Sequence, residues 1–167
     1  MAVYTNLNKG QIIDFLKLYD IGELISFSGI TEGIENSNFH IQTSKGNFIL
    51  TIFEKRVDIN DIPFFIKIMI HLNKKCYYCP NPICDNNNNF INELKGKPTI
   101  IVSFLEGKSK ENITIEDCYQ VGKTMGIIHS QSKDFELKRE NSLSVSGWEK
   151  LIKNCNNSVP LSVLNAL

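Results

Sequence analysis

The sequence is most informative at first through what it lacks. It carries no net charge, with 18 Lys and Arg against 18 Asp and Glu. Nucleic-acid binding rests largely on phosphate neutralisation, and basic doublets such as Lys55-Arg56 and Lys74-Lys75 are too short to supply it. No nucleic-acid partner is therefore expected. No stretch approaches the ~18 uninterrupted apolar residues of a membrane-spanning helix, so no membrane role is expected either. The opening MAVYTNLNKGQ has neither a basic region nor an apolar run of the signal-peptide kind, which predicts a cytoplasmic location. Cysteines number five, and an odd count without an export signal argues against a disulfide framework. Alanine is almost absent, arginine is scarce beside lysine, and asparagine is abundant. That bias reads as the coding preference of an AT-rich genome rather than as chemistry.

What remains is ordinary globular material. Hydrophobic residues make up 42% of 167 positions, enough for one core, or for one domain and part of a second. The stretch Ser26 to Lys55 organises the rest. It predicts three short strands, at 25–28, 38–43 and 48–53, joined by a Gly- and Asn-containing loop at 29–37 and a turn at Ser44-Lys45-Gly46. Phe39 and Ile41 fall on one face of the second strand, His40 and Gln42 on the other. The third strand is apolar on both faces apart from Thr51, which suits a central position. Before it, a helix over 5–20 is predicted from Ile12, Phe15, Leu16 and Tyr19, with Asn8 and Gln11 spaced as a capping box. After it, a helix over 61–73 opens at Asn60 or Asp61 with Pro63 in its first turn. Residues 76–89, with two prolines and four consecutive asparagines, read as irregular. Strands follow at 90–94 and 99–104. Glycine and a polar run then mark a linker, and Thr114-x-x-Asp117 caps a helix running to about Ser130. Residues 131–147 are loosely patterned, and Trp148, Leu151 and Ile152 suggest the start of another helix.

Strand, Gly-containing loop, strand, turn, strand, helix, two strands, linker, helix is the order of the small lobe of a kinase-like fold. In such a lobe the first loop lays backbone N–H groups over nucleotide phosphates, and the linker meets the adenine. The blocks SFSGITEGIENSNFHIQTSKGNFILTIFEKR, DIPFFIKIMIHL, ELKGKPTIIVSFLEG and VGKTMGIIHSQSKDFELKRENSLSVSGW resemble, in order and spacing, homoserine kinases of the aminoglycoside-phosphotransferase-like type. The resemblance runs from about Tyr4 to Trp148. It implies an α+β fold, an antiparallel sheet with helices as a kinase-like small lobe over 1–106, and the incomplete start of a helical large lobe over 107–167. It implies ATP and Mg²⁺ as cofactors and ATP-dependent phosphorylation of L-homoserine, a small amino-acid substrate, in threonine biosynthesis. Residue by residue, it carries phosphate-loop roles to Gly33, Asn36, Ser37 and Asn38, and the adenine-side hinge to Ser103, Phe104 and Leu105. Kinases place a Lys on the third strand, and here that register holds Thr51. Lys55, two alternations on, is the candidate phosphate contact. The family's catalytic Asp and its Mg²⁺ ligands lie beyond the matched blocks, so the chain is expected to stop before its catalytic loop and to be inactive alone.

Two other readings belong beside this one. The chain can be a non-catalytic remnant, or half of a split kinase that pairs with a separately encoded large lobe or with itself. Alternatively, His71, Cys76, Cys79 and Cys84 fall within fourteen positions, and Cys-x-x-Cys is a zinc-ligand spacing, which admits a small structural zinc module.

Overall fold

The periodicities of the sequence resolve into one sheet with a dry face and a half-open face. The computed structural model describes residues 3–55, 57–75, 79–141 and 144–154. Asn8 opens the first helix, α1 (Lys9–Leu16): its side chain accepts from the Gln11 N–H at 2.9 Å, and the Gln11 side chain accepts from the Asn8 N–H at 3.0 Å. The capping box is thus formed, while the helix ends four residues earlier than its apolar spacing predicts. Tyr19 is still buried, in the turn that follows.

Strands β1 (Leu24–Ile30), β2 (Ser37–Thr43) and β3 (Gly46–Ile52) form an antiparallel meander. Gly46 closes the β2–β3 turn at φ 141°, a conformation that L side chains rarely adopt. A short 3-10 turn (Ile59–Asp61), capped by Asp58 rather than by Asn60 or Asp61, leads into α2 (Ile62–Lys75). The stretch expected to be irregular contains a two-residue strand, β4 (Pro82–Ile83), followed by β5 (Asn92–Leu94) and β6 (Lys97–Ser103). The sheet order is β1-β2-β3-β6-β4, with β5 also on β6, so β3 is central as its apolar content implies. Along the outer edge of β6, Pro82 and Ile83 pair with Val102 and Ile101, and Asn92 to Leu94 pair with Thr99 to Lys97. The β1 edge carries an irregularity in register between Leu24 and Ser26.

One face of the sheet, presented by Phe39, Ile41, Leu50, Ile52 and Ile101, is covered by Ile12, Phe15 and Leu16 of α1. The other is covered only in part: Ile62 and Ile66 of α2 pack on Phe53, Ile100 and Val102. Each fully buried aliphatic side chain contributes about 1.5–3 kcal/mol relative to exposure.

Thr114 opens α3 (Ile115–Gln131) with a second capping box: its hydroxyl accepts from the Asp117 N–H at 3.2 Å, and Asp117 Oδ2 accepts from the Thr114 N–H at 2.8 Å. Lys110 on Asp117 Oδ1 at 2.6 Å, together with the Thr114 bonds, holds that carboxyl below its usual range. Ile127 and Ile128 pack near Leu72 of α2 and Cys79, but Ile115, Tyr119, Val121 and Met125 are more than half exposed. With little packing to hold its first turn, α3 depends on its cap. Thr114→Ala should cost about 1 kcal/mol of helix stability, read as faster amide exchange over residues 115–118 with the sheet amides unchanged.

The chain divides into two compact units, Met1–Glu136 and Leu137–Leu167. The second contains α4 (Val145–Asn154), the helix expected around Trp148. The last dozen residues of the sequence lie outside the described residues.

Candidate nucleotide site

Sheet register determines which side chains share the half-open face. Ile30, Asn38, Thr51 and Ile100 form one cross-strand row; Ser28, His40, Ile49 and Val102 form the next. α2 takes the β6 end of both rows, leaving Asn38, His40, Ile49 and Thr51 partly exposed. Thr51 Oγ1 donates to Asn38 Oδ1 at 2.8 Å, which holds the Asn38 amide against β3. The His40 ring meets the Phe104 ring edge-on, centroids 4.9 Å apart. The result is a shallow strip with an aromatic end and an amide end.

The chain leaves β6 at that aromatic end. Ser103 N–H donates to Asn81 O at 2.9 Å, Asn81 N–H donates to Ser103 Oγ at 2.8 Å, and Phe104 N–H donates to Asn47 O at 3.1 Å. These bonds set the Phe104 ring beside His40, after which Leu105 is exposed. At the amide end stands the β1–β2 loop. Gly33 takes φ 113°, so a side chain there would be strained. Its neighbours Thr31, Glu32 and Ile34 are exposed.

The predicted site residues divide by location. Asn38 lies on the strip and Phe104 at its aromatic end, with Ser103 and Leu105 flanking Phe104. Gly33 and Asn36 belong to the loop before β2, where Asn36 Oδ1 accepts from the Glu54 N–H at 3.4 Å. Ser37 lies on the dry face and is fully buried. Its hydroxyl accepts from the N–H groups of Tyr4 at 2.9 Å and Thr5 at 3.0 Å, and donates to Glu54 Oε1 at 2.7 Å. Lys55 does not continue the alternation of β3, which ends at Ile52; Val57 N–H bonds to Glu54 O and turns the chain. Lys55 is exposed and lines a cleft of about 320 Å³ with Tyr4, Ile34, Glu35, Glu54 and Lys97. The sequence places Thr51 only at the register where kinases carry a Lys, and His40 only on one face of its strand; the structure puts both on the open strip. The signal was present in the polar alternation of β2, since a half-buried strand shows its polar side to whatever is not core.

Of the zinc candidates, Cys76 lies outside the described residues. His71 Nε2 is 3.0 Å from Gln131 O and 3.2 Å from Asp134 Oδ1, and Cys79 is buried. Among the described residues no group of three or more His, Cys, Asp or Glu is arranged to hold a metal ion.

A sheet with one open face, a glycine-bearing loop over one end and a linker at the other is the arrangement of a phosphotransferase small lobe. Residues 26–166 match the family model described as APH, phosphotransferase enzyme family, and the chain belongs to that family. Among curated relatives it is 45% identical over 151 residues to a homoserine kinase of a Bradyrhizobium strain, covering 90% of this chain and 47% of that protein. It is 44% identical over 155 residues to the homoserine kinase of Bartonella tribocorum, covering 93% of this chain and 49% of that one. The chain therefore spans about half the length of the curated relatives it matches. Among solved structures, a spectinomycin phosphotransferase in complex with ADP and spectinomycin superposes with a TM-score of 0.66 at 15% identity, over 93% of this chain and 48% of that one. An aminoglycoside phosphotransferase from Alicyclobacillus acidocaldarius gives 0.64 at 11% identity, over 90% of this chain and 42% of that one. At such identities the likeness is one of fold: an antiparallel sheet with helices in the kinase-like arrangement. No helix among the described residues is long and apolar enough to cross a membrane.

Proposed function

We propose that this chain is the nucleotide-holding part of a homoserine kinase, the phosphotransferase that moves the γ-phosphoryl group of ATP to the hydroxyl of L-homoserine in threonine biosynthesis. The observation that carries the reading is the 45% identity to homoserine kinases over 90% of the chain.

The residues present fit a nucleotide. A purine can lie flat on Ile49 beside His40 and Phe104 and meet the backbone of Ser103 to Leu105. Triphosphate can extend toward Asn36, Asn38 and the amides around Gly33, with Lys55 an exposed cation among the described residues. Backbone N–H groups fixed in a loop bind phosphate without having to reorganise. ATP would supply the transferable phosphoryl group and Mg²⁺ would neutralise its charge; the residues named hold and orient the nucleotide and carry no proton-transfer step. The small lobe over 1–106 and the opening of the large lobe from 107 are the division this reading implies, with a cytoplasmic location.

The test is calorimetric titration of the chain with MgATP, paired with an assay for homoserine-dependent ADP release. Binding without turnover is the expected result. No nucleotide binding would sink the reading, and homoserine-dependent turnover would overturn the assignment of catalysis to residues outside this chain.

The exposed Ile115, Tyr119, Val121 and Met125 on α3 favour a refinement, namely that a second polypeptide surface covers this helix. The remaining half of the relatives is a surface of suitable origin; a second copy of the chain is the competing occupant.

A further inference from the structure

Glu54 stands two residues past the end of the central strand and joins three segments: the residues before α1, the β2 end of the loop, and β6. Its side chain is only 9% exposed. The carboxylate accepts from Thr5 Oγ1 at 2.6 Å and Ser37 Oγ at 2.7 Å, and pairs with Lys97 Nζ. Lys97 Nζ also donates to Thr5 Oγ1 at 2.7 Å. The Glu54 N–H donates to Asn36 Oδ1 at 3.4 Å. Proton accounting closes: each hydroxyl gives its one hydrogen to the carboxylate and uses its lone pairs for other donors.

The residues preceding α1 complete the anchorage. Tyr4 Oη donates to Ile34 O at 2.9 Å, and the Tyr4 and Thr5 N–H groups both donate to Ser37 Oγ. Val3 lies so close to Gly29 that a Cβ there would stand 3.0 Å from Val3 Cγ2. Both ends of the loop are therefore fastened on the side of the sheet away from the open strip. The exposed tip, Thr31 to Gly33, lies between the anchors.

We infer that Glu54 is a positioning residue of the nucleotide site: it fastens the 34–37 end of the loop to the N-terminal strap and so sets where the loop amides meet phosphate. The inference rests on the function proposed above. A carboxylate suits the task because hydrogen bonds to a charged acceptor are about twice as strong as neutral ones. A loop that must be ordered on binding loses affinity for the group it holds, here the phosphates and not the purine.

The test is Glu54→Gln in the full chain, titrated separately with MgADP and with adenosine, with amide exchange followed over residues 31–38. ADP affinity should fall about tenfold while adenosine affinity changes less than about twofold, in line with the strength of bonds to a charged acceptor. Exchange over the loop should accelerate while β3 and β6 stay protected. Thr5→Val, which removes the hydroxyl's bonds to Glu54 and Lys97 and leaves the Lys97–Glu54 pair, should shift both readings the same way by a smaller amount, and serves if Glu54→Gln does not fold. Equal losses for ADP and adenosine would mark Glu54 as a fold-stability residue and overturn the proposal, as would unchanged loop exchange. A wild-type chain that binds neither ligand would instead remove the function on which the proposal rests, while the exchange readout would still report on the tether.

Discussion

Replacing Leu50 with Ala should destabilise the chain by about 3 kcal/mol, within the range for removing a fully buried aliphatic side chain from a core that cannot collapse around the gap. Leu50 has no exposed surface, sits on the central strand, and lies between Phe39 and Ile101 across the sheet. Those neighbours belong to strands held on both sides or at their ends, and α1 caps the layer, so little can move in to fill the cavity. Total stabilities of small domains run to about 5–15 kcal/mol, so the loss is a large share. The measurement is the urea midpoint, with an unchanged slope showing that the transition remains cooperative. Ile49→Ala, one residue away on the half-buried face, should cost clearly less. Equal costs would mean that the two faces do not differ as burial indicates.

Lys97→Met should cost about 2–3 kcal/mol at neutral pH. Breaking a buried pair by removing one partner typically costs about 3–5 kcal/mol, because the other charge stays behind uncompensated. The lower figure applies here because the Lys97 side chain is about one-third exposed, at 34%, and water screens part of the loss. Burial alone would raise the pKa of Glu54, yet the hydrogen bonds from Lys97, Thr5 and Ser37 carry it below the usual glutamate value. A carboxyl depressed in the folded state stabilises above its unfolded pKa of about 4.3. That contribution is lost as pH falls through the lower folded value. In Lys97→Met the burial penalty stands without its strongest compensation, so the Glu54 pKa rises and protonation favours the fold. The difference between wild type and variant should be full at pH 7 and shrink below about pH 4. Denaturation midpoints across pH 3–7 read this directly, and a difference independent of pH would mean that the loss does not come from the charge pair with Glu54.

The parts of this fold legible in the sequence are those fixed by near neighbours. Both capping boxes depend on groups three positions apart, and the β2–β3 turn depends on one glycine. The central place of β3 followed from apolar residues on both faces. β4 was not legible, because Pro82 and Ile83 become a strand only through Val102 and Ile101. α1 ends early because Tyr19 reaches the core from a turn just as well as from a helix. In the site, the glycine-bearing loop and the linker could be read, whereas the assignment of Ser37 to one side of the sheet needed the register. The surroundings of Glu54 could not be read at all, since Thr5, Ser37 and Lys97 stand 49, 17 and 43 positions away.

The outer margin of β6 has a bearing on how the chain behaves when crowded. That margin is divided between two partners of two and three residues, β4 and β5, with Ile100 between them. The opposite margin, β1, is interrupted in register near its start. A growing cross-strand stack needs a long, regular row of unmatched backbone groups, and interrupted or very short edges deny it that row. Self-assembly of this chain at high concentration should therefore begin on the apolar flank of α3, as side-chain contact between helices, and leave the sheet as it is.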